Sequence, residues 1–283
     1  MKQLFQLLID TEKMLGLMLL AVLMVLGMTG NSLANKNTIT VTGSTTVLPI
    51  AQSAAEVFME KNTAVEISIQ GGGSGVGIAS IIDGACDIAD ASRPIKDKEL
   101  DKAVSKGIDP KAHVIAMDGI AVVVNKSNSI EALSKQQLKD IFTGKISDWG
   151  QLGVSGGKIV AISRDSASGT FEAFNKLALD KARVRPDALM QASNQAVASV
   201  VAKTPGAIGY VGLGYLSPDL KALVIEGVIP SKATVLSGDY ILSRPLFMYT
   251  NGEPTGHTKS FIDFILSDEG QKLVESLGYV GLK

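Results

Sequence analysis

The sequence has very few of the side chains that most enzymes use for catalysis. Its 283 residues include one cysteine, Cys86, and two histidines, His113 and His257. A single cysteine cannot form an internal disulfide or a cluster of thiolate ligands. Two separate histidines give little support to a zinc site or to a Ser–His or Cys–His nucleophile. We therefore expect no metal, no cofactor and no catalytic residues.

Aromatic residues and net charge are also scarce. Aromatic residues make up 5% of the chain, and the formal net charge is −1. Few aromatic rings disfavour stacking platforms for bases or sugars, and a nearly neutral chain has no basic field that would attract nucleic acid. By contrast, 46% of the residues are hydrophobic and 29 are glycine. This composition and length predict a globular chain with two modest α/β lobes and many tight turns.

The first 34 residues have the pattern of a secretory signal peptide. An apolar core runs from Met14 to Met28, and the small residues Ser32 and Ala34 stand at the positions that a signal peptidase reads. We expect cleavage after Ala34 and a periplasmic protein that is not a lipoprotein, since no cysteine lies nearby. The apolar run is shorter than the roughly 20 residues of a membrane span. The alternative is an uncleaved N-terminal anchor, because the segment before the apolar core contains acidic residues, which are atypical of a signal peptide.

Apolar strands alternate with helices along the rest of the chain. We predict strands at Thr38–Thr42, Val65–Gln70, Asp87–Ala91, Val114–Met117, Ile120–Val124, Ile159–Ile162, Ala207–Val211 and Ser243–Thr250. We predict helices at Pro49–Lys61, Val76–Asp83, Lys96–Lys106, Lys135–Phe142, Phe171–Leu179, Val197–Ala202 and Lys259–Leu277, the last kinked or recapped at Ser267–Gly270. Such alternation indicates an α/β fold with parallel pairing, in which ligands bind beyond the carboxyl ends of the strands.

Three of these strands run into a turn of Gly, Ser and Thr that opens a helix. The turns are Gly43-Ser44-Thr45-Thr46, Gly71-Gly72-Gly73-Ser74-Gly75 and Arg164-Asp165-Ser166-Ala167-Ser168-Gly169-Thr170. A helix N-terminus has free backbone N–H groups and a partial positive charge, so it attracts anions without lysine. The third turn adds Arg164, whose planar guanidinium can bind two oxygens. Together the turns predict a site that holds an oxyanion.

Each turn taken alone also has a simpler explanation. The hydroxyl groups of the first turn could be N-caps, and the glycine turn could serve close packing of a helix on a strand. That glycine turn lacks the Gly-Lys-Ser/Thr ending of a P-loop, which disfavours nucleotide binding. A secreted phosphatase or serine hydrolase that uses Ser166 or Ser168 is a further alternative, but its nucleophile would need a neighbouring base or metal.

These motifs, in this order, resemble the phosphate-binding proteins of bacterial phosphate ABC transporters. The resemblance covers essentially the whole mature chain, from Thr38 to the end. Besides the turns, it is carried by Asp87-Ile88-Ala89 with Ser92-Arg93, by Ile141-Phe142-Thr143-Gly144-Lys145 with Trp149, and by Pro205-Gly206-Ala207-Ile208-Gly209-Tyr210. It implies a two-lobed periplasmic-binding-protein-like fold of type II that traps phosphate between its lobes and delivers it to membrane permease subunits. Such a protein binds its ligand without catalysis.

The resemblance also implies which residues bind the ligand. They are Thr45, Thr46 and Val47 at the first helix, Ser74 at the second, and Arg164, Ser168, Gly169 and Thr170 in the second lobe. One position departs from the family pattern, because Ser92 stands where an Asp is expected after the third strand. A serine hydroxyl can accept or donate a hydrogen bond, so phosphate is the expected ligand. Sulfate or another tetrahedral oxyanion is the alternative.

The resemblance finally implies how the chain is divided. After the signal peptide of residues 1–34, residues 35–122 form the first part of lobe 1 and residues 123–242 form lobe 2. Residues 243–283 return to lobe 1 and end in the C-terminal helix. The expected partners are inorganic phosphate and the permease, and the protein is expected to be a monomer.

Overall fold

The structure is a computed structural model that describes residues 37–155 and 157–283. The predicted signal peptide and its cleavage site lie outside these residues. The strands are β1 (Thr38–Gly43), β2 (Glu66–Gly71), β3 (Ile88–Ala91), β4 (Pro110–Asn125), β5 (Ala132–Leu133), β6 (Val160–Arg164), β7 (Leu189–Gln191), β8 (Ala207–Gly212), β9 (Leu220–Ala222), β10 (Val224–Ile225) and β11 (Ser243–Asn251).

The helices follow these strands in alternation, as predicted. They are α1 (Leu48–Lys61), α2 (Ser74–Ile82), α3 (Asp97–Ser105), α4 (Lys135–Thr143), α5 (Gly169–Leu177), α6 (Asn194–Lys203), α7 (Lys232–Leu236), α8 (Gly256–Leu266) and α9 (Asp268–Ser276), with short 3-10 helices at Trp149–Leu152 and Leu213–Tyr215. The predicted recapping near the C-terminus is confirmed, because Ser267 ends α8 and its Oγ accepts the Gly270 amide at 3.2 Å to begin α9. Several short elements were not predicted, since they are too short to show a hydrophobic period.

Two predicted strands are in fact one. Val114–Met117 and Ile120–Val124 both belong to β4, which continues through Asp118 and Gly119. The backbone stays extended there because Asp118 and Gly119 pair with β11, opposite Arg244 and Ser243. A polar residue followed by glycine resembles a break in sequence, but the ladder on the neighbouring strand overrides that local signal.

The central sheet joins both halves of the chain. In the described ranges its strand order is β2-β1-β3-β11-β4-β8-β6-β7, and β9 also pairs with β4. Pairing is parallel among β2, β1 and β3 and among β8, β6 and β7, as predicted, whereas β11 and β4 run antiparallel to their neighbours. The carboxyl ends of β1, β2 and β3 therefore lie at one edge, and so do those of β6 and β7.

The buried side chains form three clusters. The α1 cluster joins β1, α1, α8 and α9, and the α2 cluster joins α2, α3 and β3. Along β11, Leu246 and Met248 belong to the α1 cluster while Phe247 and Tyr249 belong to the α2 cluster, because alternate side chains of a strand point to opposite faces. The large cluster gathers the end of β4, β6, β8 and α4 to α6. Each strand–turn–helix unit is thus anchored by a hydrophobic core beneath it.

Within residues 37–155 and 157–283, no helix combines the length and the apolar composition needed to cross a membrane.

Candidate functional site

The three predicted turns meet at one buried place. The Thr46 hydroxyl, before α1, lies 2.8 Å from the Thr170 hydroxyl in α5. A Cβ atom added to Gly169 would lie 2.2 Å from Ser74 Oγ and 2.7 Å from Ser92 Oγ. The hydroxyl groups of Thr46, Thr170, Ser74 and Ser92 all belong to residues that are at most 1% exposed. The structure therefore brings the three turns into contact, while the binding of a ligand by them stays a prediction.

The first turn connects β1 to α1 and is held from behind by two tyrosines. Ser44 Oγ accepts the Thr46 amide at 3.1 Å. The Tyr215 hydroxyl donates to the Thr45 carbonyl, and the Tyr279 hydroxyl donates to the Thr46 carbonyl at 2.7 Å. These two carbonyls accept hydrogen bonds from tyrosines that are distant in sequence. Long-range contacts therefore determine the orientation of the turn.

Val47 occupies a different environment from the threonines beside it. It is the N-cap residue of α1 and its side chain packs in the α1 cluster with no exposed surface. Its amide donates to the Ser44 carbonyl at 3.1 Å. Among the residues predicted at the first helix, the structure thus brings the Thr46 hydroxyl to the Thr170 hydroxyl, while the Val47 side chain lies in the core.

The second turn, between β2 and α2, is built for close approach. Gly73 has φ of 95°, and a Cβ there would lie 2.7 Å from the Ala167 carbonyl oxygen of the third turn. The Gly75 amide donates to that same carbonyl at 2.9 Å. Ser74 Oγ accepts the Ser92 amide at 2.9 Å. Glycine is required here because any side chain would separate the two turns.

The third turn, between β6 and α5, contains a buried arginine. Arg164 is 2% exposed, and it donates from Nε to the Gln191 carbonyl and from Nη2 to the Ala192 carbonyl, each at 3.0 Å. Its Nη1 has no hydrogen-bond partner among residues 37–155 and 157–283. Burial is the main cause that lowers the pKa of Arg164, although an arginine remains protonated at neutral pH. Ser168 caps α5, because its Oγ accepts the Phe171 amide at 3.1 Å.

A second buried arginine, which the sequence analysis did not select, connects the turns. Arg244 Nη2 donates to Thr46 Oγ1 at 3.3 Å and to Thr170 Oγ1 at 3.1 Å. Its Nη1 donates to the Ser92 carbonyl at 3.1 Å. Nη2 also donates to Asp118 Oδ2 at 2.9 Å, so this guanidinium is neutralised by a carboxylate.

Asp118 is fully buried beneath this site. Its Oδ1 accepts the Leu213 amide at 2.9 Å. Burial raises the pKa of Asp118, and the positive charge of Arg244 counteracts part of that rise. The signal for this pair was present in the sequence, since Asp118 stands between two apolar runs and Arg244 is the one charged residue of the run Ser243–Thr250. Buried opposite charges on separate strands are expected to pair, because an unpaired buried charge is costly.

Asn194, the first residue of α6, is a second missed residue. Its Nδ2 donates to Thr45 Oγ1 at 3.1 Å and to Thr46 Oγ1 at 3.0 Å. Its Oδ1 accepts the Gly212 amide at 3.2 Å. The predicted helix Val197–Ala202 left Asn194 outside it, and nothing in the local sequence pointed to the threonines of the first turn.

The electrostatics of the site favour an anion. The Arg244 charge is balanced by Asp118, while the Arg164 side chain donates to two backbone carbonyls and forms no salt bridge within the described residues. The neighbouring Asp165 acts on Arg164 only through its charge, so Arg164 and the N-termini of α1, α2 and α5 favour an anion. No group of three or more His, Cys, Asp or Glu residues that could hold a metal occurs in the described part of the chain. The arrangement can surround an oxyanion with hydroxyl and amide donors.

Comparison with known proteins agrees with this geometry. A family model described as a PBP superfamily domain matches residues 30–269. The chain is 39% identical over 247 residues to the phosphate-binding protein PstS of Bacillus subtilis (strain 168). The aligned region covers 86% of this chain and 80% of that relative. It is 37% identical over 252 residues to PstS of a Staphylococcus epidermidis strain, covering 84% and 77%.

Solved structures show the same similarity. A phosphate ABC transporter substrate-binding protein from Clostridium perfringens, crystallised with bound phosphate, has a TM-score of 0.82 and 34% identity, covering 87% of this chain and 100% of that chain. An ABC-type phosphate transport receptor from Vibrio cholerae has a TM-score of 0.70 and 30% identity, covering 86% and 99%. Because the family model spans most of the chain and these relatives are similar over most of their own length, the chain belongs to the phosphate-binding protein family of the PBP superfamily, with its two-lobed α/β fold of type II.

Proposed function

We propose that this protein captures inorganic phosphate in the cleft between its lobes and delivers it to the permease of an ABC transporter. The observation that carries the proposal is the meeting of three helix N-termini at one buried place. The buried Arg164 is close enough to Arg244 of that place for the two charges to interact, and its Nη1 has no hydrogen-bond partner among the described residues. A phosphate dianion needs nearly every oxygen satisfied when it is buried. The hydroxyls, amides and guanidinium found there can do so once the turns, which contact one another in this structure, separate enough to admit the ion.

The ligand contacts in this proposal come from both lobes. On one side they are Thr45, Thr46, Val47 (whose amide would exchange its bond to the Ser44 carbonyl for one to the ligand), Ser74 and Ser92, and on the other side Arg164, Ser168, Gly169 and Thr170. Arg244 and Asn194 join them as the groups that hold the threonine hydroxyls. Since Thr46 Oγ1 already accepts bonds from these two residues, its own proton is available to a neighbouring oxygen.

We also infer how the lobes divide. Residues 35–122 and 243–283 form lobe 1 and residues 123–242 form lobe 2. The division is supported by the separation of the large cluster from the α1 and α2 clusters, although the large cluster also takes in Ile120–Val122 and Val280. Hinge motion of such lobes would open the site to solvent and, on closure, bring the α5 turn against the α1 and α2 turns. The closed surface is what the permease would recognise.

The proposal also includes export of the protein and binding of the ligand without catalysis. Residues 1–34 act as a cleavable signal peptide, and the mature protein is a periplasmic monomer. The ligand is bound and released unchanged, because the serines of the site contact backbone groups and each other, and Ser168 Oγ is engaged as a helix cap. A phosphatase would need an activating base at one of these hydroxyls.

Calorimetric titration of the purified mature protein with phosphate tests the proposal. Arg164→Gln should weaken binding by about 100-fold or more, since losing one partner of a buried charged contact costs about 2–5 kcal/mol. Arg185→Gln is a matched control, because Arg185 is 6% exposed, has an unpartnered Nη1 and pairs with Asp187 instead. The control should bind phosphate like the wild type.

The proposal is wrong if the wild type does not bind phosphate, or if Arg164→Gln binds it unchanged. Competition with sulfate at neutral pH decides between phosphate and another tetrahedral oxyanion. Equal affinity for both would mean that Ser92 does not discriminate by the ligand's proton, and that the assignment must be widened to oxyanions.

A further inference from the structure

Glu172 places a carboxylate at the helix end where the proposed function needs an anion to bind. It belongs to the first turn of α5, the helix whose N-terminus carries Gly169 and Thr170. An acidic residue there stabilises the helix dipole, but it also competes with any anion held at the same helix end. If α5 binds phosphate as proposed, this negative charge weakens the binding unless it has another role.

The contacts of Glu172 reach across the cleft. Its Oε1 lies 2.6 Å from Lys96 Nζ, and its Oε2 lies 3.0 Å from Arg93 Nε. Arg93 follows β3 and Lys96 precedes α3, whose Ala103 packs in the α2 cluster. Helix α5 instead packs in the large cluster through Phe174. One carboxylate therefore connects elements that rest on different hydrophobic cores.

The cationic side of this contact is already organised. Arg93 is 5% exposed, and its two terminal nitrogens each donate to Glu99 at 2.8 Å. Burial opposes ionisation of Glu99, but the hydrogen bonds from Arg93 and from the Lys96 amide outweigh it and lower its pKa. Nε of Arg93 forms no hydrogen bond among the described residues but lies 3.0 Å from Glu172 Oε2, so this contact is an ion pair.

This contact stands beside the anion site. A cavity of about 380 Å³ is lined by Arg93, Lys96 and Glu172 together with Ser92 and Arg244 of the site. Glu172 is 20% exposed and Arg93 5%, so this ion pair is more protected from solvent than that of an ordinary surface carboxylate, whereas Lys96 is half exposed. Partial burial makes such a pair stronger than an exposed one.

We propose that Glu172 is a positioning residue of the anion site, which binds Arg93 and Lys96 across the cleft and so holds the α5 N-terminus against Ser74 and Ser92. We call these three residues the Glu172 clamp. This proposal rests on the proposed function. It adds that the ion pairs of Glu172 determine how long phosphate stays bound. The clamp keeps the cleft closed, and its two cations offset the charge that Glu172 brings to the helix end.

Two variants separate this role from a purely electrostatic one. Glu172→Gln removes the charge, and Glu172→Asp keeps the charge but shortens the reach. Removing the clamp should speed phosphate release about tenfold in both variants, the size of one partly buried ion pair, with an association rate that stays close to that of the wild type. If Glu172 only added negative charge near the ligand, Glu172→Gln would release phosphate more slowly and Glu172→Asp would be unchanged.

The measurement is rapid-mixing dissociation of radiolabelled phosphate from the purified protein, chased with excess unlabelled phosphate. Asp180→Asn is the matched control, because Asp180 is also bound by two lysines, Lys135 at 2.8 Å and Lys139 at 3.0 Å, away from the cleft. Its release rate should equal that of the wild type. Thermal unfolding shows whether each variant is folded.

The outcomes distinguish the two proposals. Wild-type release rates in both Glu172 variants, or slower release in Glu172→Gln, would overturn the clamp while leaving phosphate binding by the wild type intact. A wild type that binds no phosphate would instead remove the proposed function, and the clamp with it.

Discussion

The α1 turn and the α5 turn share a strand–turn–helix design but are stabilised in different ways. In the α5 turn, Ser168 caps its own helix and Arg164 binds the carbonyls of Gln191 and Ala192. In the α1 turn, Val47 has no side-chain cap, and the Thr46 hydroxyl is bound by Asn194 and Arg244. Asn194 is 148 residues from Thr46 in sequence.

The two sides therefore contribute different things to the site. The α5 turn supplies a positive charge that forms no salt bridge in the described residues, because the Arg164 side chain donates to the backbone carbonyls of Gln191 and Ala192. The α1 turn supplies oriented hydroxyls, because its donors and carbonyls are held by Asn194, Arg244 and two tyrosines. We conclude that charge is provided locally, whereas orientation is provided by long-range contacts. Four substitutions test this contrast.

The largest expected effect comes from the surface where the α5 turn meets the serines. Gly169→Ala would place a Cβ 2.2 Å from Ser74 Oγ and 2.9 Å from Ser74 Cβ. Because this clash exists only when the turns are in contact, phosphate affinity should fall by about 100-fold, near the upper end of overpacking costs. Thermal unfolding without phosphate should change little, since the lobes can separate. Full affinity in calorimetry would show that α5 does not approach the serines in the bound state.

A smaller effect is expected from the long-range support of the α1 turn. Asn194→Ala removes the amide that holds the Thr45 and Thr46 hydroxyls and should weaken phosphate binding about tenfold. Asn125→Ala is the control, because Asn125 is 8% exposed and its amide donates only to the Val201 and Ala202 carbonyls. That control should lower the melting temperature and leave the dissociation constant unchanged. Equal effects on binding would refute a specific role for Asn194.

The tyrosine behind the α1 turn should matter less. Tyr279→Phe removes the hydrogen bond to the Thr46 carbonyl and should weaken phosphate binding about threefold, in addition to a stability loss of about 1 kcal/mol. Tyr240→Phe removes a comparable buried bond, to the Ile120 carbonyl at 2.8 Å, and should affect stability alone. Urea unfolding and calorimetry of the two variants together check this prediction.

The last substitution should change stability and its pH dependence without changing phosphate affinity. Asp90 in β3 is 1% exposed, its Oδ1 has no hydrogen-bond partner in the described residues, and burial raises its pKa well above the ordinary 3.8. The folded protein therefore keeps this proton where the unfolded chain has lost it, so stability falls as the pH rises from 3.8 through the raised value. Asp90→Asn should reduce that fall and add about 1–3 kcal/mol at neutral pH.

Urea unfolding measured from acid to alkaline pH checks this prediction. Asp118, whose pKa burial also raises, is retained in the variant, so part of the slope should persist. An unchanged slope in Asp90→Asn would mean that Asp90 has the same proton affinity in both states.

Much of the fold and part of the site could be predicted from sequence. The turns at Gly43, Gly71 and Arg164 were recognised because glycine, serine and threonine at the end of an apolar strand are local signals. Asp118 and Gly119 were misread as a break in β4 because pairing with β11 is not visible locally. Arg244 and Asn194 were missed for the same reason, since their partners lie far away in sequence.

By itself, the sequence determined which helices would begin with free amides and hydroxyls and where one arginine would stand beside them. Short-range chemistry suffices for that, because a helix start depends on a few neighbouring residues. Tertiary structure decided which of the two buried arginines is neutralised, which amide holds the threonine hydroxyls, and which cations Glu172 meets across the cleft. These pairings depend on sheet register and on the packing of separate cores, and a buried charge takes whichever partner that packing brings within reach.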